Sequence, residues 1–171
     1  MQIQLNTYTM HLEDEPLDIG YASEKVSVKD SSGNVQILGG QNGKTQVIVS
    51  TPFIDDKFID ELKEMSKVLP KGGDYEVNTS IIVANNEHLN PDINNIDFFV
   101  DHDDEFGDWY GVRLSDGPCE KELTKALFII SKDGALFYDE FVTNLHETFN
   151  LETLVRKVNA AQICYTGKGC H

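Results

Sequence analysis

A chain of 171 residues is the size of one domain, and 40% hydrophobic residues are enough for a packed core, which excludes a disordered chain. Fourteen basic residues against 29 acidic ones leave a net charge of −15. Such a surface repels phosphate backbones and anionic lipid, so neither nucleic acid nor a membrane surface is an expected partner.

No apolar run approaches the roughly 20 residues that span a bilayer. The N-terminal segment carries Glu13, Asp14 and Glu15 and has neither the basic start nor the apolar block of a secretory signal. The expected compartment is therefore the cytoplasm. There the three cysteines, Cys119, Cys164 and Cys170, are expected to be reduced.

In chain order, Gln2 to Asn6 alternates with period two and Tyr8 to Leu12 reads as its return strand, an N-terminal β-hairpin. Lys25 to Lys29 alternates again. The turn residues Asp30 to Asn34 lead into a strand at Val35 to Leu38. The β-branched run Thr45 to Ser50 reads as a central strand buried on both faces. After Pro52 the spacing becomes helical: Phe58, Leu62 and Met65 share a face, with Ile59 alongside, and Asp60, Glu61, Lys63 and Glu64 are assigned to the outer face. Asp55 or Asp56 caps this helix, and the run Pro70 to Gly73 ends it.

Thr79 to Ala84 reads as a further core strand, Asn85 to Asn95 as a polar loop, and Ile96 to Val100 as a strand. Asp103 to Val112 reads as a short helix with Phe106, Trp109 and Tyr110 turned inward. Thr124 to Ile130 is a buried strand, Lys132 to Ala135 a hairpin turn, and Leu136 to Phe141 the antiparallel return. A last helix, capped by Asn150, runs from about Leu151 to Ile163, with Leu151, Leu154, Val155 and Val158 on its apolar face. Residues 164–171 form a short tail containing two cysteines. There is no repeat or linker, so residues 1–171 read as one domain. The order predicts an α/β fold with a mixed central sheet flanked by helices. Thioredoxin-like folds have that order.

Three segments resemble the thiol peroxidases, the atypical two-cysteine branch of the peroxiredoxins. Val47-Ile48-Val49-Ser50-Thr51-Pro52-Phe53-Ile54-Asp55 is similar to the strand and loop that lead into that family's active site. Tyr110-Gly111-Val112 with Ser115-Asp116-Gly117-Pro118 resembles its Y-G-V and D-G-P stretch. Leu123 to Ile130 with Lys132-Asp133-Gly134 resembles its next strand and hairpin. The resemblance extends to about Ala161 and implies a thioredoxin-like, peroxiredoxin-type fold. It also implies a homodimer formed through the active-site face and a thioredoxin-type reductant as partner.

The family's site is Pro-x-x-x-Thr/Ser-x-x-Cys with a later arginine. The cysteine attacks peroxide as a thiolate, its pKa lowered by the helix N-terminus and by the arginine. Against this pattern Pro52 and Asp55 match, Asp56 stands at the hydroxyl position, Ile59 at the cysteine position and Lys125 at the arginine position. Isoleucine has no nucleophile, aspartate brings an anion, and lysine lacks the planar fork of a guanidinium. The segment from Asn85 to Asn95, shorter than the family's resolving helix, has no cysteine either. Peroxidase chemistry at this position is therefore not expected.

Three functions are weighed. The leading one is a non-catalytic binding or interaction module, with a protein partner and no cofactor. The second moves redox chemistry to Cys164 and Cys170, whose thiolates Lys168 and His171 favour, or to Cys119, where Asp116 and Glu120 oppose it. The third is a metal or haem held by the Cys-x5-Cys-His tail, whose spacing matches no standard ligand pattern. The acidic run Asp101 to Glu105 fails the calcium-loop template and reads as a solvated helix cap, and His11, His88 and His146 read as single surface residues.

Overall fold

A computed structural model of the chain describes residues 1–70 and 75–163. The hairpin β1 (Gln2–Leu5) and β2 (Tyr8–His11) forms a two-stranded sheet of its own. The main sheet has seven strands: β3 (Val26–Lys29), β4 (Val35–Leu38), β5 (Thr45–Ser50), β6 (Val77–Val83), β7 (Ile96–Val100), β8 (Ala126–Ile130) and β9 (Leu136–Phe141). Their spatial order is β4-β3-β7-β6-β5-β8-β9. The β5–β6 and β6–β7 pairs are parallel and the other pairs antiparallel, so the sheet is mixed. Among the described residues three α-helices complete the fold: α1 (Asp56–Val68), α2 (Glu105–Tyr110) and α3 (Leu151–Ile163). Among the described residues no helix is long and apolar enough to cross a membrane.

Strand alternation divides the core into two layers. Val47, Val49, Ile81, Val83, Leu127 and Ile129 face one side, where Phe58, Leu62 and Met65 of α1, Leu154 and Val158 of α3, and Ile3 and Met10 of the hairpin pack. Ile48, Ile82, Phe128 and Ile130 face the other, against Phe106 and Tyr110 of α2. Every residue of β5 is buried, as its β-branched run predicts. Asp55 caps α1 by accepting a hydrogen bond from the Phe58 N–H at 2.8 Å, and the Asn150 side chain accepts from Thr153 N–H at 3.0 Å to start α3.

The structure corrects several expectations. Glu61 is not on the outer face of α1 but buried, 6% exposed. Helix α2 is shorter than predicted, and Trp109 is 57% exposed. The buried arc of α2 is Phe106, Gly107 and Tyr110, and a Cβ on Gly107 would lie 2.2 Å from the Arg113 guanidinium. The acidic run is not uniformly solvated: Asp101 is 1% exposed and accepts hydrogen bonds from the N–H groups of Phe106 and Gly107, both at 2.9 Å. Burial pushes its carboxyl up from the ordinary aspartate range, against the pull of those two N–H groups and of Arg113. His88 is not an unpaired surface residue, since its Nε2 lies 2.9 Å from Glu122 and both side chains are mostly buried.

Candidate functional site

The candidate pocket is built where β5 ends, α1 begins and β8 starts. In the β5–β8 register Ser50 opposes Ala126, and the Ser50 hydroxyl donates to the Thr124 carbonyl at 2.7 Å. This register sets Lys125 beside the Thr51–Pro52 turn. Thr51 and Pro52 are both buried, and the Thr51 hydroxyl donates to the Phe53 carbonyl at 2.7 Å, which fixes the turn into α1. Strand alternation places Lys125 on the same face as Leu127 and Ile129, the face that α1 covers.

Lys125 is 5% exposed, and its ammonium is fully engaged. Nζ donates to Glu61 Oε1 at 2.6 Å and to the Glu147 carbonyl at 2.7 Å. It also lies 5.2 Å from the Phe58 ring centroid and 5.0 Å from that of Phe149. The second Glu61 oxygen accepts the Phe149 N–H at 2.5 Å. One carboxylate thus joins the cation to the backbone of the segment between β9 and α3. That segment is also held from α1 by Lys57, which donates to the His146 carbonyl. The Phe53 and His146 rings meet at 6.4 Å.

Of the four residues predicted for the pocket, Pro52 and Lys125 are buried within it. Ile59 is half-buried and packs against the core with its hydrocarbon side chain. Asp56, the first residue of α1, is exposed to solvent. The helix N-terminus, with its positive dipole end, therefore faces two aspartates, Asp55 and Asp56. Thr124 is wholly buried and its hydroxyl has no hydrogen-bond partner among the described residues, a cost that an apolar side chain of the same shape avoids.

Sequence reasoning missed Glu61, Glu147 and Phe149. For Glu61 the signal was present: Phe58, Glu61, Leu62 and Met65 fall at i, i+3, i+4 and i+7, and all four are buried. A helix of this phase carries Glu61 inward whatever its charge, and such a carboxylate requires a buried cation. No local pattern announces Phe149 or the Glu147 carbonyl, which come from a loop 22 or more residues after Lys125.

Among the redox candidates, Cys119 lies in a single 3-10 turn at Gly117–Cys119 and is 8% exposed within the core. Burial, and secondarily the Glu122 carboxylate, push its thiol up, whereas the sequence pointed to Asp116 and Glu120. Asp116 is instead engaged by His11, its Oδ2 lying 2.9 Å from the ring Nδ1, which holds the Asp116 carboxyl low. Cys164 and Cys170 lie outside the described residues.

No protein-family model matches the chain. It is 29% identical to a thiol peroxidase of Campylobacter jejuni over 166 residues, covering 94% of this chain and 93% of the relative. It is 26% identical to a thiol peroxidase of Aquifex aeolicus over 147 residues, covering 83% of this chain and 87% of that one. The solved structure of a peroxiredoxin-like protein from Aquifex aeolicus superposes with a TM-score of 0.82 at 22% identity, over 94% of this chain and 96% of the other. A thiol peroxidase from Chromobacterium violaceum superposes with a TM-score of 0.77 at 14% identity, over 94% and 97% of the two chains. By sequence and by fold, the chain is a relative of the thiol peroxidases, built on the thioredoxin-like fold of the peroxiredoxins.

Proposed function

We propose that this chain is a non-catalytic relative of the thiol peroxidases, a binding or interaction module in which the reaction pocket is filled by the protein's own side chains. The observation that carries this reading is the state of Lys125. A peroxidatic thiolate needs a cation with an unspent charge beside it. Here the ammonium is neutralised at 2.6 Å by Glu61 and capped by a carbonyl and two aromatic rings. The residue at the matching cysteine position, Ile59, offers hydrocarbon, and the aspartates at the start of α1 offset the helix dipole that elsewhere stabilises a thiolate.

The test is hydrogen peroxide consumption by the purified protein, with thioredoxin or dithiothreitol as reductant, and a free-thiol count before and after peroxide. The expected result is no turnover above the protein-free control, with all three thiols unchanged. Turnover that consumes two thiols, and that disappears when Cys164 and Cys170 are changed to serine, overturns the reading and assigns redox chemistry to the tail.

A further inference from the structure

At the sheet edge farthest from β9 lies β4, and among the described residues its outer side has no strand partner. Its ladder with β3 can be phased. Asp30 N–H donates to the Asn34 carbonyl at 2.9 Å across the β3–β4 turn, which makes Asp30–Asn34 a hydrogen-bonded pair. Antiparallel pairs alternate, so Val28–Gln36 and Val26–Leu38 are the next hydrogen-bonded pairs, while Lys29–Val35 and Ser27–Ile37 are not. The N–H and C=O groups of Val35 and Ile37 therefore point outward, away from β3.

The side chains of these same two residues are also largely open to solvent. Val35 and Ile37 lie on one face of the strand, and each is 58% exposed. Native edge strands are usually defended by lysine, other charges or proline. None is present here: from Ser31 to Gly43 the chain carries no charged residue and no proline, within a molecule of net charge −15. The Asp30 carboxylate accepts from Gln36 Nε2 at 3.2 Å, but β4 itself is uncharged, so two copies can meet along it with limited mutual repulsion.

We propose that β4 is a homodimer interface, in which two copies pair their β4 strands antiparallel about a two-fold axis through Gln36. In this register Val35 opposes Ile37 of the second copy and Ile37 opposes its Val35. Both are hydrogen-bonded pairs, so four backbone hydrogen bonds form from the outward groups. The two β-branched pairs then lie side by side on one face, the pairing that stabilises antiparallel sheets. The interface is isologous, as a two-fold axis requires. A four-residue strand buries less than the roughly 1,200 Å² of a standard stable interface, so the dimer dissociates on dilution. The surface is separate from the Lys125 pocket and does not depend on whether that pocket is catalytic.

The test combines sedimentation equilibrium of the full chain over a range of concentrations with two variants. Wild type is expected to show a concentration-dependent monomer–dimer equilibrium, and Ile37→Lys to remain monomeric with an unchanged thermal melt, because the residue is exposed. Val35→Lys serves if Ile37→Lys fails to fold. In a Cys164→Ser/Cys170→Ser background, Gln36→Cys faces its own copy across a non-hydrogen-bonded pair, where Cα atoms lie about 4.5 Å apart, within disulfide reach of roughly 4.4–6.8 Å. Mild oxidation is expected to trap it as a covalent dimer that dithiothreitol releases. A wild type that is monomeric at every concentration overturns the proposal. A dimer that survives both lysine variants and fails to cross-link through Gln36→Cys also overturns it, and places the contact on another face.

Discussion

Replacing Lys125 by methionine with Glu61 left in place is expected to destabilise the fold by about 3–5 kcal/mol, the cost of leaving one partner of a buried ion pair uncompensated. Both side chains are nearly closed to solvent, at 6% and 3% exposure. The Glu61 carboxylate keeps only the Phe149 N–H as donor. For a chain of this size each kcal/mol moves the melting temperature by roughly 2–4 °C, so the thermal midpoint at neutral pH is expected to fall by roughly 6–20 °C. The double variant Glu61→Leu/Lys125→Met removes both charges together and is expected to recover most of the loss, since apolar replacement of a whole buried pair is often neutral or stabilising. Melts of the three proteins, wild type and the two variants, followed by circular dichroism, check both statements. A single variant that costs less than about 1 kcal/mol would place the pair among surface ion pairs and remove the basis for a filled pocket.

Phe128→Ala is expected to cost a further large amount, about 3–5 kcal/mol as a large-to-small change in a closed core. Phe128 lies on β8, three residues after Lys125, on the opposite face of the sheet. Its ring meets Tyr110 edge-on at 5.3 Å, Phe106 at 6.0 Å and Phe141 at 5.7 Å, while Phe106 and Tyr110 stack at 4.3 Å. Truncation leaves a cavity under β8 beside a six-residue α2 whose first-turn N–H groups are held by the Asp101 carboxylate and whose end is fixed at Gly111. Denaturant unfolding gives the free energy, with Phe128→Leu as the control that keeps most of the volume. A loss under about 1.5 kcal/mol for the alanine variant would mean the cluster collapses around the gap, and the strand carrying Lys125 is held by other contacts.

The strands were legible because their evidence is local. The β-branched runs of β5, β6 and β8 require a sheet buried on both faces, and each lies in the centre of one. The caps at Asp55 and Asn150 were legible for the same reason. What escaped depends on contacts far apart in the chain. Lys125 meets Glu61 across 64 residues, and His88 meets Glu122 across 34. Residue type also misled. Glu61 was assigned to solvent because it is charged, although its spacing from Phe58 and Met65 puts it on the buried stripe. The aromatic character of Trp109 points to the core, whereas the buried arc of α2 is Phe106, Gly107 and Tyr110 and Trp109 is exposed. In both helices the position on the helical stripe, not the residue type, sets the burial.

Glu61 holds the Lys125 ammonium at 2.6 Å, and the proposal that this leaves the pocket unable to activate a thiol is tested most directly by placing a thiol at position 59. The measurement is the thiol pKa and peroxide reactivity of Ile59→Cys, made in a background with Cys164 and Cys170 changed to serine, with and without Glu61→Gln. Ile59→Cys with Glu61 in place is expected to keep a thiol near the ordinary value of about 8.5 with no peroxide turnover, and to show a lower pKa once Glu61→Gln frees the ammonium. A strongly depressed pKa with rapid peroxide reduction in Ile59→Cys alone would contradict the proposal, because the pocket would then have kept its activating field intact beside the ion pair.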